Sequence, residues 1–126
     1  MPAQKPEECD ILLMETMNRG DLEAAVALYE PSAILVQDPS GDLINGHEAI
    51  REFIRAGLAL GLRMTRETNV LQNGDLALTG GRWRAIGTDA EGNPVVLSGN
   101  SREVVRRQPD GTWRFAIDNP WGAGLE

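Results

Sequence analysis

YEPSAILVQDPSGDLINGHEAIREFI, residues 29–54, contains the change of period that decides the fold. Ala33-Ile34-Leu35-Val36 is an apolar run of strand length, and Pro39 biases the preceding Asp38 towards extended geometry rather than helix. Gly41 then permits a turn. After Asn45-Gly46, the residues Ile50, Phe53, Ile54, Gly57 and Leu58 fall at i, i+3, i+4, i+7 and i+8, one face of a helix. A carboxylate at a strand end, facing a helix that closes over it, begins a pocket, and Asp38 is its expected chemical centre.

Upstream of this stretch the pattern is helical. Cys9, Leu12, Leu13 and Met17 keep helical spacing between about Pro6 and Asn18, with Glu7 and Glu8 where the helix dipole favours acids. Gly20 ends that helix. Asp21 can cap a second one, with Leu22, Ala25, Val26 and Tyr29 as its buried stripe until Pro31 stops it. Downstream the pattern turns to long alternating segments. Leu62–Gln72, Leu76–Thr88, Val95–Arg107 and Thr112–Asn119 are separated by turn residues and predict four antiparallel strands in a meander. Helices first and strands afterwards indicate an α+β class, three N-terminal helices packed on one face of a bent sheet, as a single domain over residues 1–126. Gly80-Gly81 inside a strand pattern predicts a bulge or bend that curves the sheet, and Gly99 in the neighbouring strand can serve the same bend.

Composition narrows the function classes. The formal charge of −7 argues against nucleic acid or an anionic membrane surface as partner, since both need a basic face. Cys9 is the one cysteine, which excludes an intrachain disulfide and a cysteine-based zinc site and suits a reducing, cytoplasmic compartment. The opening MPAQKPEECD lacks the basic start and apolar core of a signal peptide, and no run of about 18 apolar residues could span a bilayer. His47 is the one histidine and stands without clustered acids, so a metal site has no support, and no serine has a suggestively placed histidine. No Gly-rich phosphate loop joins a strand to a helix.

Three features in order then carry a family resemblance: Gly20-Asp21-Leu22 opening a helix that ends at Leu28-Tyr29, Asp38-Pro39-Ser40-Gly41 before Gly46 and Ala49-Ile50-Arg51-Glu52-Phe53, and the closing Asp110-Gly111-Thr112-Trp113-Arg114 hairpin. Together they span nearly the whole chain, which resembles the nuclear-transport-factor-2-like superfamily of cone-shaped, cystatin-like α+β folds. Within it, the chain is similar to the SnoaL-like and ketosteroid-isomerase-like branch. The resemblance implies that Asp38 occupies the position of the general base that moves a proton beside a ketone. The oxyanion hole of those isomerases pairs a tyrosine with a protonated acid. Here the tyrosine position is Leu13, which cannot donate a hydrogen bond, and the acid position is Glu103. A gapless comparison places Ala116 and Asp118 on the cavity-facing parity of the last strand, with Arg114 two residues behind, although a single bulge would reverse that parity. Asp38, Arg114 and Asp118 would then match the Asp-Arg-Asp grouping with which limonene-epoxide-hydrolase-like members activate water. Trp83 and Trp121 are the aromatics expected to line or rim an apolar pocket.

Two functions compete at this point. One is a cofactor-independent acid-base enzyme acting on a small apolar carbonyl or epoxide compound, with Asp38 as base and Asp118 or Glu103 as partner acid. Leu13 counts against a full ketosteroid isomerase. The other is a noncatalytic small-ligand-binding or association module. A homodimer is expected under both, because the sheet has more apolar positions than three short helices can cover.

Overall fold

A computed structural model describes residues 2–123. Helix α1 (Glu8–Arg19) turns its buried residues Cys9, Asp10, Thr16 and Met17 towards the sheet, and stops at Gly20, whose φ of 73° is left-handed. Helix α2 (Leu22–Val26) is capped by Asp21, which accepts from the Ala24 N–H. It is shorter than its apolar stripe predicts. Tyr29 is not the last residue of that helix but the first of strand β1 (Tyr29–Val36). The Phe115 N–H donates to the Leu28 carbonyl at 2.8 Å, so pairing with the last strand has already begun where another helical turn would lie. Pro31 falls where that pairing shifts register, between Tyr29 and Ile34, a place where a missing N–H costs little.

Strand β2 (Leu43–Asn45) returns antiparallel along β1 before helix α3 (His47–Ala59) begins. Three residues are too few to show a period, so a strand here is not legible in sequence. Strands β3 (Arg63–Arg66), β4 (Asn69–Asn73), β5 (Leu76–Thr88), β6 (Pro94–Arg107) and β7 (Trp113–Asn119) follow. The sheet order is β2-β1-β7-β6-β5-β3, with β4 also on β5, and every pairing is antiparallel except β1 with β7. The segment expected as one strand from Leu62 to Gln72 is thus two. Both keep one register, because Arg66 faces Trp83 and Asn69 faces Gly80.

The glycine pair on β5 acts differently from a bulge. Pairing of β5 with β6 runs without a slip from Leu76–Arg106 to Thr88–Pro94. A Cβ on Gly80 would lie 2.3 Å from the Ser101 carbonyl oxygen, and one on Gly81 would lie 2.3 Å from that of Glu67. What the sequence needs there is room for backbone on both flanks, and the break between β3 and β4 sits opposite Gly81.

The concave face of the sheet carries alternate residues of each strand: Ala77, Thr79, Trp83 and Ala85 on β5, and Ser101, Glu103 and Val105 on β6, all buried. Tyr29, Leu35, Ile50, Val105 and Phe115 are fully buried between this face and the helices, each contributing about 1.5–3 kcal/mol by the usual measure of apolar burial. On the opposite face, Ile34, Ile117, Val104, Leu78 and Leu71 form one cross-strand row. Leu71, Leu78 and Ile117 in that row are exposed. Among the described residues no helix is long and apolar enough to cross a membrane.

Candidate active site

Between α1, α3 and the concave face lies a cavity of about 310 Å³, within the usual range for small-molecule sites. Most of its wall is apolar, with Leu13 and Met17 from α1, Phe53 and Ile54 from α3, and Leu60, Leu62, Met64 and Leu97 beyond. Trp83 and Trp121 meet edge to face, 5.2 Å between ring centroids, and both line the wall. Trp83 is fixed by donating its Nε1–H to the Pro120 carbonyl at 2.6 Å. Trp121 Nε1 is buried without a partner among the described residues.

The polar part of the wall is built by the sheet ladder. Thr79 on β5, Glu103 on β6 and Asp118 on β7 are direct cross-strand neighbours, and all three are buried. Thr79 donates its hydroxyl to Glu103 Oε1 at 2.8 Å, and the Tyr29 hydroxyl donates to Asp118 Oδ2 at 2.6 Å. Arg66 reaches in from β3, its Nη2 standing 3.0 Å from Asp10 Oδ2 on α1, 3.0 Å from Ser101 Oγ and 3.9 Å from Glu103 Oε1. Two buried carboxyls, Asp10 and Glu103, therefore share one guanidinium, and a third, Asp118, stands beside Glu103 on the ladder. Like charges directly opposite on adjacent strands repel, and desolvation adds to the cost of ionising both. Burial first, then the Glu103 charge, raises the Asp118 pKa to about 7. Burial and Glu103, opposed by Arg66, raise that of Asp10 to about 9. The Tyr29 phenol is held well above its ordinary value by burial and by Asp118.

A stability profile follows from these shifts. Carboxyls with raised folded-state pKa values hold protons that the unfolded chain has already released above about pH 4. Their contribution is full below that value and is lost as pH rises through about 7 for Asp118 and about 9 for Asp10. The urea midpoint is expected to be lower at about pH 9.5 than at about pH 5, and a flat or rising profile would show that neither carboxyl is raised.

The sequence-derived candidates divide clearly. Glu103, Asp118, Leu13, Trp83 and Trp121 all line the cavity. Asp38 and Arg114 do not. Asp38 sits in the β1–β2 turn, accepting from the Ser40 hydroxyl and, at 2.9 Å, from the Ser40 N–H, bonds that hold its pKa below the usual value. Its neighbour Gln37 is the residue that reaches the cavity. Arg114 is turned to the outer face, paired with Arg106, because of a bulge: Val105 faces Phe115 and Val104 faces Ile117, leaving Ala116 as an extra residue. That residue reverses parity, so Trp113 and Phe115 share the buried side with Asp118 while Arg114 and Ala116 do not. The inward guanidinium is supplied instead by Arg66.

Asp10, Tyr29 and Arg66 are site residues that the sequence reading did not select. Asp10 carried one legible signal, an acid at i and i+3 from Leu13 on the apolar face of its helix. His47, the first residue of α3, is partly buried, its Nε2 2.6 Å from the Tyr29 carbonyl oxygen. Burial pushes the Cys9 thiol up, which leaves it unsuited to act as a nucleophile.

Fold and site together define a cone-shaped α+β protein with a largely apolar cavity and a buried carboxyl-guanidinium cluster on one wall. The chain belongs to the SnoaL-like domain family, whose profile matches residues 12–118. No curated protein matches it. Among solved structures, a ketosteroid isomerase-like protein from Erwinia carotovora atroseptica aligns at a TM-score of 0.78 and 21% identity, over 90% of this chain and 89% of that one. An NTF2-like protein with a cystatin-like fold from Novosphingobium aromaticivorans aligns at 0.71 and 21% identity, over 90% and 76%. SalBIII, an epoxide hydrolase/cyclase-like enzyme of pyran ring formation in the polyether salinomycin, aligns at 0.69 and 18% identity, over 94% and 92%. At these identities the likeness is one of fold, and the fold is the NTF2-like, cystatin-like one.

Proposed function

We propose that this chain is a cofactor-independent acid-base enzyme, of isomerase, cyclase or hydrolase type, acting on a small apolar carbonyl or epoxide compound held in the cavity. The observation that carries this is Asp118, a buried carboxyl on the wall of an apolar cavity, with its pKa raised to about 7 beside Glu103. A group poised near neutrality can serve as acid and as base in one cycle. As the acid it gives a proton to a carbonyl or epoxide oxygen, and as the base it takes one from carbon or water. Tyr29 occupies Oδ2 of Asp118 and so orients the carboxyl. Glu103, its neighbour on the ladder, is the charge that helps hold the Asp118 proton, and the apolar wall binds the body of the ligand.

Carboxyl-resolved NMR with a library of small hydrophobic ketones and epoxides tests this proposal. Asp118 is expected to titrate near neutrality and to shift when a ligand binds. Turnover of a bound compound completes the case, whereas ligand binding without any change at Asp118 supports a noncatalytic binding module. We also propose that the outer row through Leu78 and Ile117 pairs with a second copy of the chain, since three of its five aliphatic side chains are exposed. Sedimentation equilibrium is expected to give a dimer that Leu78→Glu dissociates, and a wild-type monomer would overturn it.

A further inference from the structure

Asp10 is the buried group for which the proposed reaction has no use. It does not line the cavity, is only 1% exposed, and stands on α1 facing the cluster from the helix side. Its Oδ2 lies 3.0 Å from Arg66 Nη2, the same nitrogen that approaches Glu103 Oε1 at 3.9 Å. Its other oxygen, Oδ1, has no donor to accept from among the described residues. Asp10 and Glu103 thus meet at one guanidinium nitrogen. Two carboxylates cannot bond to each other, but a carboxylic acid and a carboxylate can. A proton on Asp10 turns the orphaned oxygen into a donor and removes a negative charge where one guanidinium serves two acids and a third lies next to them on the ladder. The other titratable groups around it are Arg66 on β3, Glu103 on β6, Asp118 on β7, Tyr29 on β1, and Cys9 on α1 itself, with Glu7 and Glu8 closer to solvent.

We propose that Asp10 is a positioning residue whose carboxylic acid proton is held against Glu103, fixing that carboxylate beside Arg66 and leaving Asp118 as the group that exchanges a proton with the ligand. The role of Asp118 rests on the proposed function; the proton on Asp10 does not. Asp10 never touches the ligand. It keeps Glu103 anionic and in place, and the Glu103 charge is in turn one of the two causes that raise Asp118.

Carbon-13 labelling of aspartate carboxyls tests this on the ligand-free protein, so its outcome is separate from the search for a substrate. The Asp10 resonance, assigned by its loss in Asp10→Asn, is expected to show the acid form at neutral pH and to move only in the alkaline range. An Asp10 already ionised at neutral pH would overturn the proposal. In Asp10→Asn the amide N–H replaces the acid as donor to Glu103 with no change of charge, so the Asp118 midpoint should stay where it is. If Asp10 were an anion in the native protein, the same substitution would remove a like charge and lower that midpoint.

Discussion

Asp118→Asn is expected to lower kcat/KM by about 10²–10⁴-fold for any substrate the cavity turns over, the usual contribution of a positioned acid or base. The fold should survive, because the amide matches the carboxyl in size and its oxygen can still accept from the Tyr29 hydroxyl. What the amide cannot do is exchange a proton. Because that loss falls on the chemical step, kcat should drop with kcat/KM, while binding of the apolar body, made by residues such as Leu13, Phe53 and Trp83, should change little. Asp38→Asn is the natural comparison. It removes the acid that the family pattern points to, yet that acid lies in a turn and holds Ser40 rather than lining the cavity. Its kinetics should stay within a few-fold of wild type. Steady-state rates of the two variants, with circular dichroism as a check on folding, separate the possibilities. A large loss in Asp38→Asn with an intact Asp118→Asn would return the base to the turn.

Arg66→Met is expected to cost about 3–5 kcal/mol at neutral pH, the range for breaking a buried ion pair by removing one partner. Methionine can occupy much of the space of the aliphatic stem, so the loss is mainly electrostatic. It strands Asp10, Ser101 and Glu103, all buried and all within 4 Å of Arg66 Nη2. The size of the effect should depend on pH in a definite direction. Protonation removes the uncompensated charge, so the deficit should shrink in mild acid and grow in alkali. Urea unfolding of wild type and variant at several pH values measures this, with the m-value as the check that both still unfold cooperatively. A deficit below about 1 kcal/mol, unchanged with pH, would mean that the guanidinium behaves like an exposed surface pair.

These two residues also mark how far the sequence could be read. Glu103 and Asp118 were reached through the family resemblance, counted without a gap from the closing hairpin, and the count holds at Glu103 because β6 keeps a continuous register with β5. Arg114 was assigned to the wrong face by the same count. One extra residue, Ala116, stands between Phe115 and Ile117 in the ladder, and nothing in its composition announces a bulge. Arg66 could not be chosen over the other arginines, because its partners lie 56 residues upstream on α1 and 35 residues downstream on β6. Asp38 followed from a motif whose turn is present but whose side chain is spent on Ser40.

By itself, the sequence determined that helices come first and a mostly antiparallel sheet follows, the main turns and the apolar stripes that pack, whereas β2, the break between β3 and β4 and the inward acids needed more than local pattern. The legible part rests on periodicity and on glycine and proline geometry, which act within a few residues. Only the tertiary structure decided which acids meet. The ladder sets Asp118 against Glu103, and packing of α1 on the sheet brings Asp10 to Arg66. Burial there makes ionising all three carboxyls costly. Desolvation and charge repulsion depend on distance in space, and no local pattern in the chain records that distance.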